Sequence, residues 1–147
     1  MPATIEDTFR LMWDLLLSKD MDAVADLFAE DGVAEFPFAV DVSQRQRVGR
    51  EAIRDYLAAF PEQVDMHEVT ALTVHHTEQP ETIVAELTVN GRTVSTGEPY
   101  QVGYIVVCTA RDGSITRYRD YWSPLATAAA AGSLPELLDS LRTEATR

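Results

Sequence analysis

The apolar residues of this chain change period at Pro61. Before it they recur every three or four positions, as on one face of a helix; after it they alternate or cluster in β-branched runs. A chain divided in this way is constrained to stack helices on a sheet. In the first part, "TIEDTFRLMWDLLLS" opens with Thr4 and Asp7 at capping-box spacing and places Ile5, Phe9, Met12, Trp13, Leu16 and Leu17 along one stripe. A second helix is expected over "DMDAVADLFAED", with Met21, Val24, Leu27 and Phe28 packed and Gly32 as its stop. "VAEFPFA" is extended up to Pro37, and "DVSQRQRVG" is a loop. "REAIRDYLAAF" forms a third helix with Ile53, Tyr56, Leu57 and Phe60 on one side.

Beyond Pro61, "VDMHEVTALTVHHT", "TIVAELTV" and "TVSTGEPYQVGYIVVCTA" have strand composition. Asn90–Gly91 and Asp112–Gly113 are hairpin-turn dipeptides, the second leading into "SITRYRDYWS". The last segment, 125–147, is a helical extension split at Gly132, with Ser133 as cap and Pro135 in the first turn. The expectation is one α+β domain over residues 1–147, helices on one face of an antiparallel meander.

Strand alternation assigns Thr116, Tyr118, Asp120 and Trp122 to one face of the last strand, and Ile115, Arg117, Arg119 and Tyr121 to the other. Two arginines suit an outer face, which turns Asp120 inward between aromatic rings. Burial there raises a carboxyl pKa towards the range useful for proton transfer. The competing reading pairs Asp120 with an arginine or leaves it solvated.

Twelve basic against twenty-four acidic residues give a net charge of −12. That argues against a nucleic-acid backbone and disfavours an anionic membrane surface, so neither is expected as a partner. No apolar run approaches the length of a membrane span and the N-terminus lacks a signal-peptide pattern, so a cytoplasmic location is the expectation. The single cysteine, Cys108, lies in the apolar "YIVVCTA" and is expected as a small buried hydrophobe. His75 and His76 face opposite ways on a strand, and no zinc-ligand spacing occurs, so no metal is expected. No Walker, Rossmann or GxSxG signature is present, and no cofactor is implied. Arg45, Arg47 and Arg50 form a basic loop that either balances local charge or grips a substrate carboxylate.

The segments "DLFAEDGVAEFPF", "GREAIRDYL", "AAFPE" and "DGSITRYRDYWSPL" together resemble the SnoaL-like group of the nuclear-transport-factor-2-like superfamily, with the phenazine-biosynthesis proteins PhzA and PhzB nearest in pattern. The resemblance implies a cone: a strongly curved antiparallel sheet wrapped around N-terminal helices, cystatin-like and ketosteroid-isomerase-like, with an apolar pocket. It implies that Asp120, one methylene shorter than the usual glutamate, is the pocket carboxylate. It also implies a homodimer through the outer sheet face. Where ketosteroid isomerases carry their acid–base groups, this chain has Met12, Phe36 and a position near Ile105, so that mechanism is not expected. The function expected is an isomerase or cyclase acting on an apolar aromatic or polyketide-like molecule, with Asp120 and Tyr118 catalytic. Trp122, Phe36, Tyr56, Met12, Leu16, Ile105 and His67 are the expected substrate contacts. The alternatives are a ligand-binding protein without chemistry and, more remotely, an epoxide hydrolase.

Overall fold

A computed structural model describes residues 3–145. Helix α1 (Ile5–Leu17) starts at the expected capping box: Thr4 and Asp7 exchange side-chain and backbone hydrogen bonds at 3.1 Å. Its stripe of Ile5, Phe9, Met12, Trp13 and Leu16 is buried. Helix α2 (Met21–Asp26) is shorter than its composition suggests, because Phe28 begins strand β1 (Phe28–Glu35). Gly32 therefore does not end a helix. It lies inside β1, where a Cβ would sit 2.9 Å from the Ile115 carbonyl oxygen. The loop that follows contains a single 3-10 turn and the short strand β2 (Gln46–Val48). Helix α3 (Arg50–Ala59) then packs Ile53 into the core as expected.

Strands β3 (Val64–His76), β4 (Thr82–Thr93), β5 (Pro99–Arg111) and β6 (Ser114–Tyr121) run antiparallel in sequence order. The six strands form one curved, open sheet in the order β2-β1-β6-β5-β4-β3. Only the β1–β6 pair is parallel, so the meander is closed off by a strand from the helical half of the chain. Helix α1 lies across β3, β4 and β5, and α3 against β1 and β2. The core between them is formed by Phe9, Val24, Phe28, Ile83, Val89, Val106, Cys108 and Ile115.

Asp112–Gly113 makes the expected turn, both residues having positive φ. Asn90–Gly91 does not. It continues β4, and the hairpin bend comes later, where Gly97 at φ 72° donates to the Thr93 carbonyl. The glycine is needed for a different reason: a Cβ on Gly91 would stand 2.2 Å from the Asp65 carbonyl oxygen. That crowding faces a bulge in β3, where His67 is an extra residue between the pairs Met66–Gly91 and Glu68–Asn90. A second bulge inserts Thr116 into β6, opposite Thr109 and Ala110. It turns Ile115 inward, fully buried, against the simple alternation that assigned it to the outer face. Helices α4 (Pro124–Ala131) and α5 (Leu134–Ala145) follow, split by Gly132 in the left-handed conformation.

Candidate active site

Past the bulge, β6 resumes strict alternation. Cys108 pairs with Tyr118 and Val106 with Asp120, and Val106, Cys108 and Tyr118 are all buried. Asp120 therefore shares the concave face. On the other face, the Arg117 guanidinium meets Glu35 Oε1 at 2.8 Å. The inward row opens onto a cavity of about 780 Å³. That volume lies within the range of roughly 300–1,000 Å³ common for small-molecule sites.

Met12, Trp13 and Leu16 of α1, Phe36 after β1, Tyr56 of α3, Tyr100 and Tyr104 of β5, and Tyr118, Asp120 and Trp122 form its wall. Phe36 holds the aromatic side together, with ring centroids 4.9 Å from Tyr56 and 5.7 Å from Trp122. Phe36 is positioned by the parallel β1–β6 register, which sets Glu35 beside Arg119 and so brings the next residue level with Asp120. The hydroxyls of Tyr100 and Tyr104 hydrogen-bond to each other.

Asp120 Oδ1 is sealed from solvent and has no hydrogen-bond partner among the described residues. The residue as a whole is only partly covered, because it forms cavity wall. Burial pushes its carboxyl up to about 7, since no cation compensates the loss of hydration. Burial likewise pushes the Tyr56 hydroxyl up to about 12, and the nearby Asp120 charge adds to the effect. Tyr100, Tyr104 and Tyr118 are raised for the same main reason. All four phenols are thus neutral donors at physiological pH. The Trp13 indole N–H opposes the shift at Tyr118, yet Nε1 is buried without completing a hydrogen bond. The wall therefore offers one carboxyl that exchanges its proton near neutrality, surrounded by neutral N–H and O–H donors.

The structure gathers Asp120, Tyr118, Trp122, Phe36, Tyr56, Met12 and Leu16 around the same cavity. It excludes Ile105 and His67. Ile105 is 46% exposed on the outer face, because alternation along β5 buries Tyr104 and Val106 instead. His67, the bulged residue of β3, points outward and bonds Asp65 Oδ2 at 3.1 Å, while its neighbour Met66 lines the cavity. The three loop arginines also stay off the wall. Arg45 and Arg50 donate to the carbonyls of Ala39 and Phe28, and the Arg47 guanidinium lies 5.1 Å from the Tyr56 ring centroid. Tyr100 and Tyr104 were missed as site residues, although counting by twos from the buried Cys108 reaches both. Cys108 is buried and its thiol is pushed up to about 12, which leaves it unreactive. Among the described residues no cluster of His, Cys, Asp and Glu is placed to hold a metal. Nor is any helix there long and apolar enough to cross a membrane.

A curved, open sheet packed against α1, with one buried carboxyl in an aromatic cavity, defines the class. The chain belongs to the SnoaL-like domain family, whose profile matches residues 9–118. Among its relatives, an uncharacterised PhzA/B-like protein of Pseudomonas aeruginosa is 33% identical over 120 residues, spanning 82% of this chain and 84% of that one. The crystal structure of a "putative isomerase" from Bacillus subtilis superimposes with a TM-score of 0.82 at 40% identity, covering 86% of this chain and 91% of the other. A "putative polyketide cyclase" from Silicibacter shares the fold with a TM-score of 0.74 at 21% identity, over 86% and 94% of the two chains.

Proposed function

We propose that this protein is a small-molecule isomerase or cyclase in which Asp120 moves a proton on a planar, largely apolar substrate. The observation that carries the reading is an unpartnered carboxyl, facing an aromatic cavity, whose proton is exchangeable near pH 7. A positioned acid–base group of that kind contributes typically about 10²–10⁴-fold to rate. The Tyr100–Tyr104 pair and Tyr118 supply hydrogen-bond donors for an oxygen that gains charge during the transfer. The names of the Bacillus and Silicibacter neighbours agree with this class of chemistry. Epoxide opening by an Asp–Arg–Asp set is disfavoured, since no arginine lines the cavity among the described residues.

Deuterium uptake from heavy water at the α-carbon of cyclic enones and 1,3-diketones, followed by NMR, tests the proposal whatever the natural substrate is. Wild type should accelerate exchange for at least one member of the panel, and Asp120→Asn should remove roughly 10²–10⁴-fold of that acceleration. Exchange at equal rates in the two proteins would take Asp120 out of the mechanism. A ligand-binding role without chemistry is favoured by the apolar Met12 and Phe36 at positions where ketosteroid isomerases carry catalytic groups. It predicts no accelerated exchange with any compound. Self-association through the outer sheet face is part of the same proposal, supported by the exposed Ile105 and Phe38 there.

A further inference from the structure

We propose that the cavity selects ligands bearing a protonated amine on a flat apolar body, with Asp120 as the counter-charge. The inference rests on the cavity being a small-molecule site, though not on proton transfer taking place there. Its basis is the sign of every ionisable group around the space. Asp41, Glu62 and Glu136 stand at the exposed rim and Asp120 within, whereas no Lys, Arg or His lines the cavity among the described residues. An entering carboxylate or phosphate would meet four acidic side chains and no cation on the wall itself among the described residues. A chain of net charge −12 adds to that repulsion at longer range.

The interior is equally one-sided. Asp120 lines the cavity with no cation or donor beside it among the described residues, so an ammonium bound against the cavity-facing side of its carboxyl would provide the missing charge. The rings of Trp13, Phe36, Tyr56, Tyr104 and Trp122 line the same space. Aromatic faces attract a cation through the ring quadrupole, more strongly where water is displaced. Arg47 does not line the cavity: its guanidinium is held by Gln44 and the Gln46 carbonyl and lies 5.1 Å from the centroid of the Tyr56 ring. An aromatic acid, the ligand that the basic loop of the sequence suggests, is the wrong charge for this interior.

Three probes of one shape decide the matter by isothermal titration: 2-naphthylmethylamine, 2-naphthalenemethanol and 2-naphthoate. The amine should bind wild type about tenfold or more tightly than the alcohol, and the naphthoate should be weaker than both. In Asp120→Asn the amine-to-alcohol affinity ratio should collapse to about one. The amine-to-alcohol ratio in wild type should also widen from pH 6 to pH 8, as Asp120 ionises; Tyr56, Tyr100, Tyr104 and Tyr118, which surround it, keep their protons over that range. Naphthoate binding as tightly as the amine, no amine binding at millimolar concentration, or an unchanged ratio in the variant would overturn the proposal. Amine preference without deuterium exchange would uphold this inference and remove the acid–base reading. Exchange without amine preference would do the reverse.

Discussion

Arg119 and Asp120 are neighbours in the chain, yet they occupy opposite sides of one strand in opposite electrostatic conditions. On the outer side, carboxylates are neutralised locally: Glu35 meets Arg117, and at the far edge of the sheet Asp65 is clasped by Lys19 at 2.7 Å and by His67. Those bonds hold Asp65 below the usual carboxylate range, Lys19 being the larger influence. On the inner side Asp120 has neither cation nor donor, and burial moves it the other way. Two aspartates with the same intrinsic acidity are separated by environment alone. Ionic partners favour the charged carboxylate, and burial without them favours the protonated acid.

Three measurements press on that contrast, beginning with the largest effect. Phe9→Ala removes a fully buried ring, whose centroid lies 6.4 Å from that of Tyr118, from beneath the inner face. The expected cost is about 3–5 kcal/mol in urea unfolding. A loss below about 1 kcal/mol would mean that α1 does not set the inner packing.

Asp120→Asn comes next, and its sign depends on pH. In the folded chain this carboxyl keeps its proton up to about pH 7, against 3.8 for an aspartate in water. Between those values the folded state binds the extra proton. The wild-type contribution is therefore full below about pH 4, declines as pH rises, and is gone above about pH 7. About three pH units at about 1.4 kcal/mol each bound the effect at about 4 kcal/mol. The variant should thus match wild type near pH 4 and exceed it by up to that amount at pH 8. Parallel stability curves for the two proteins would show that Asp120 is solvated.

The smallest effect belongs to the outer face. Ile105→Asp should change the unfolding free energy of a dilute sample by no more than about 0.5 kcal/mol. In sedimentation velocity at higher concentration it should weaken self-association. Wild type that sediments as a monomer over a hundredfold concentration range would remove the outer face as a contact surface.

Much of this contrast was legible in the sequence, because it depends on period. Alternation through Tyr118, Asp120 and Trp122 assigned the inner row correctly, and helical spacing placed Met12, Leu16 and Tyr56 on inward stripes. The errors fall where one residue is added to a strand. The bulge at Thr116 reversed Ile115, and the bulge at His67 set that imidazole outside while Met66 took the inner position. Nothing in side-chain composition announces such an insertion; it is a property of two strands in register. Gly91 misled in a related way. A glycine after asparagine suits a tight turn, but here it admits a neighbouring backbone. Ile105 comes from the ketosteroid-isomerase resemblance, whereas parity with the buried Cys108 sets it outside. The acidic rim could not be seen, because Asp41, Glu62 and Glu136 come from three distant segments.

The parallel union of β1 with β6 has a consequence for how the molecule comes into being. Phe28 must find Ile115, and Ala34 must find Tyr118, across more than eighty intervening residues. Such distant pairings are slow to form. On the ribosome, the first helices and their strand emerge long before the partner that completes their seam. Until that last hairpin is synthesised the nascent chain holds a greasy trough open to its surroundings. The residues that later wall the cavity are, until then, apolar surface without its cover.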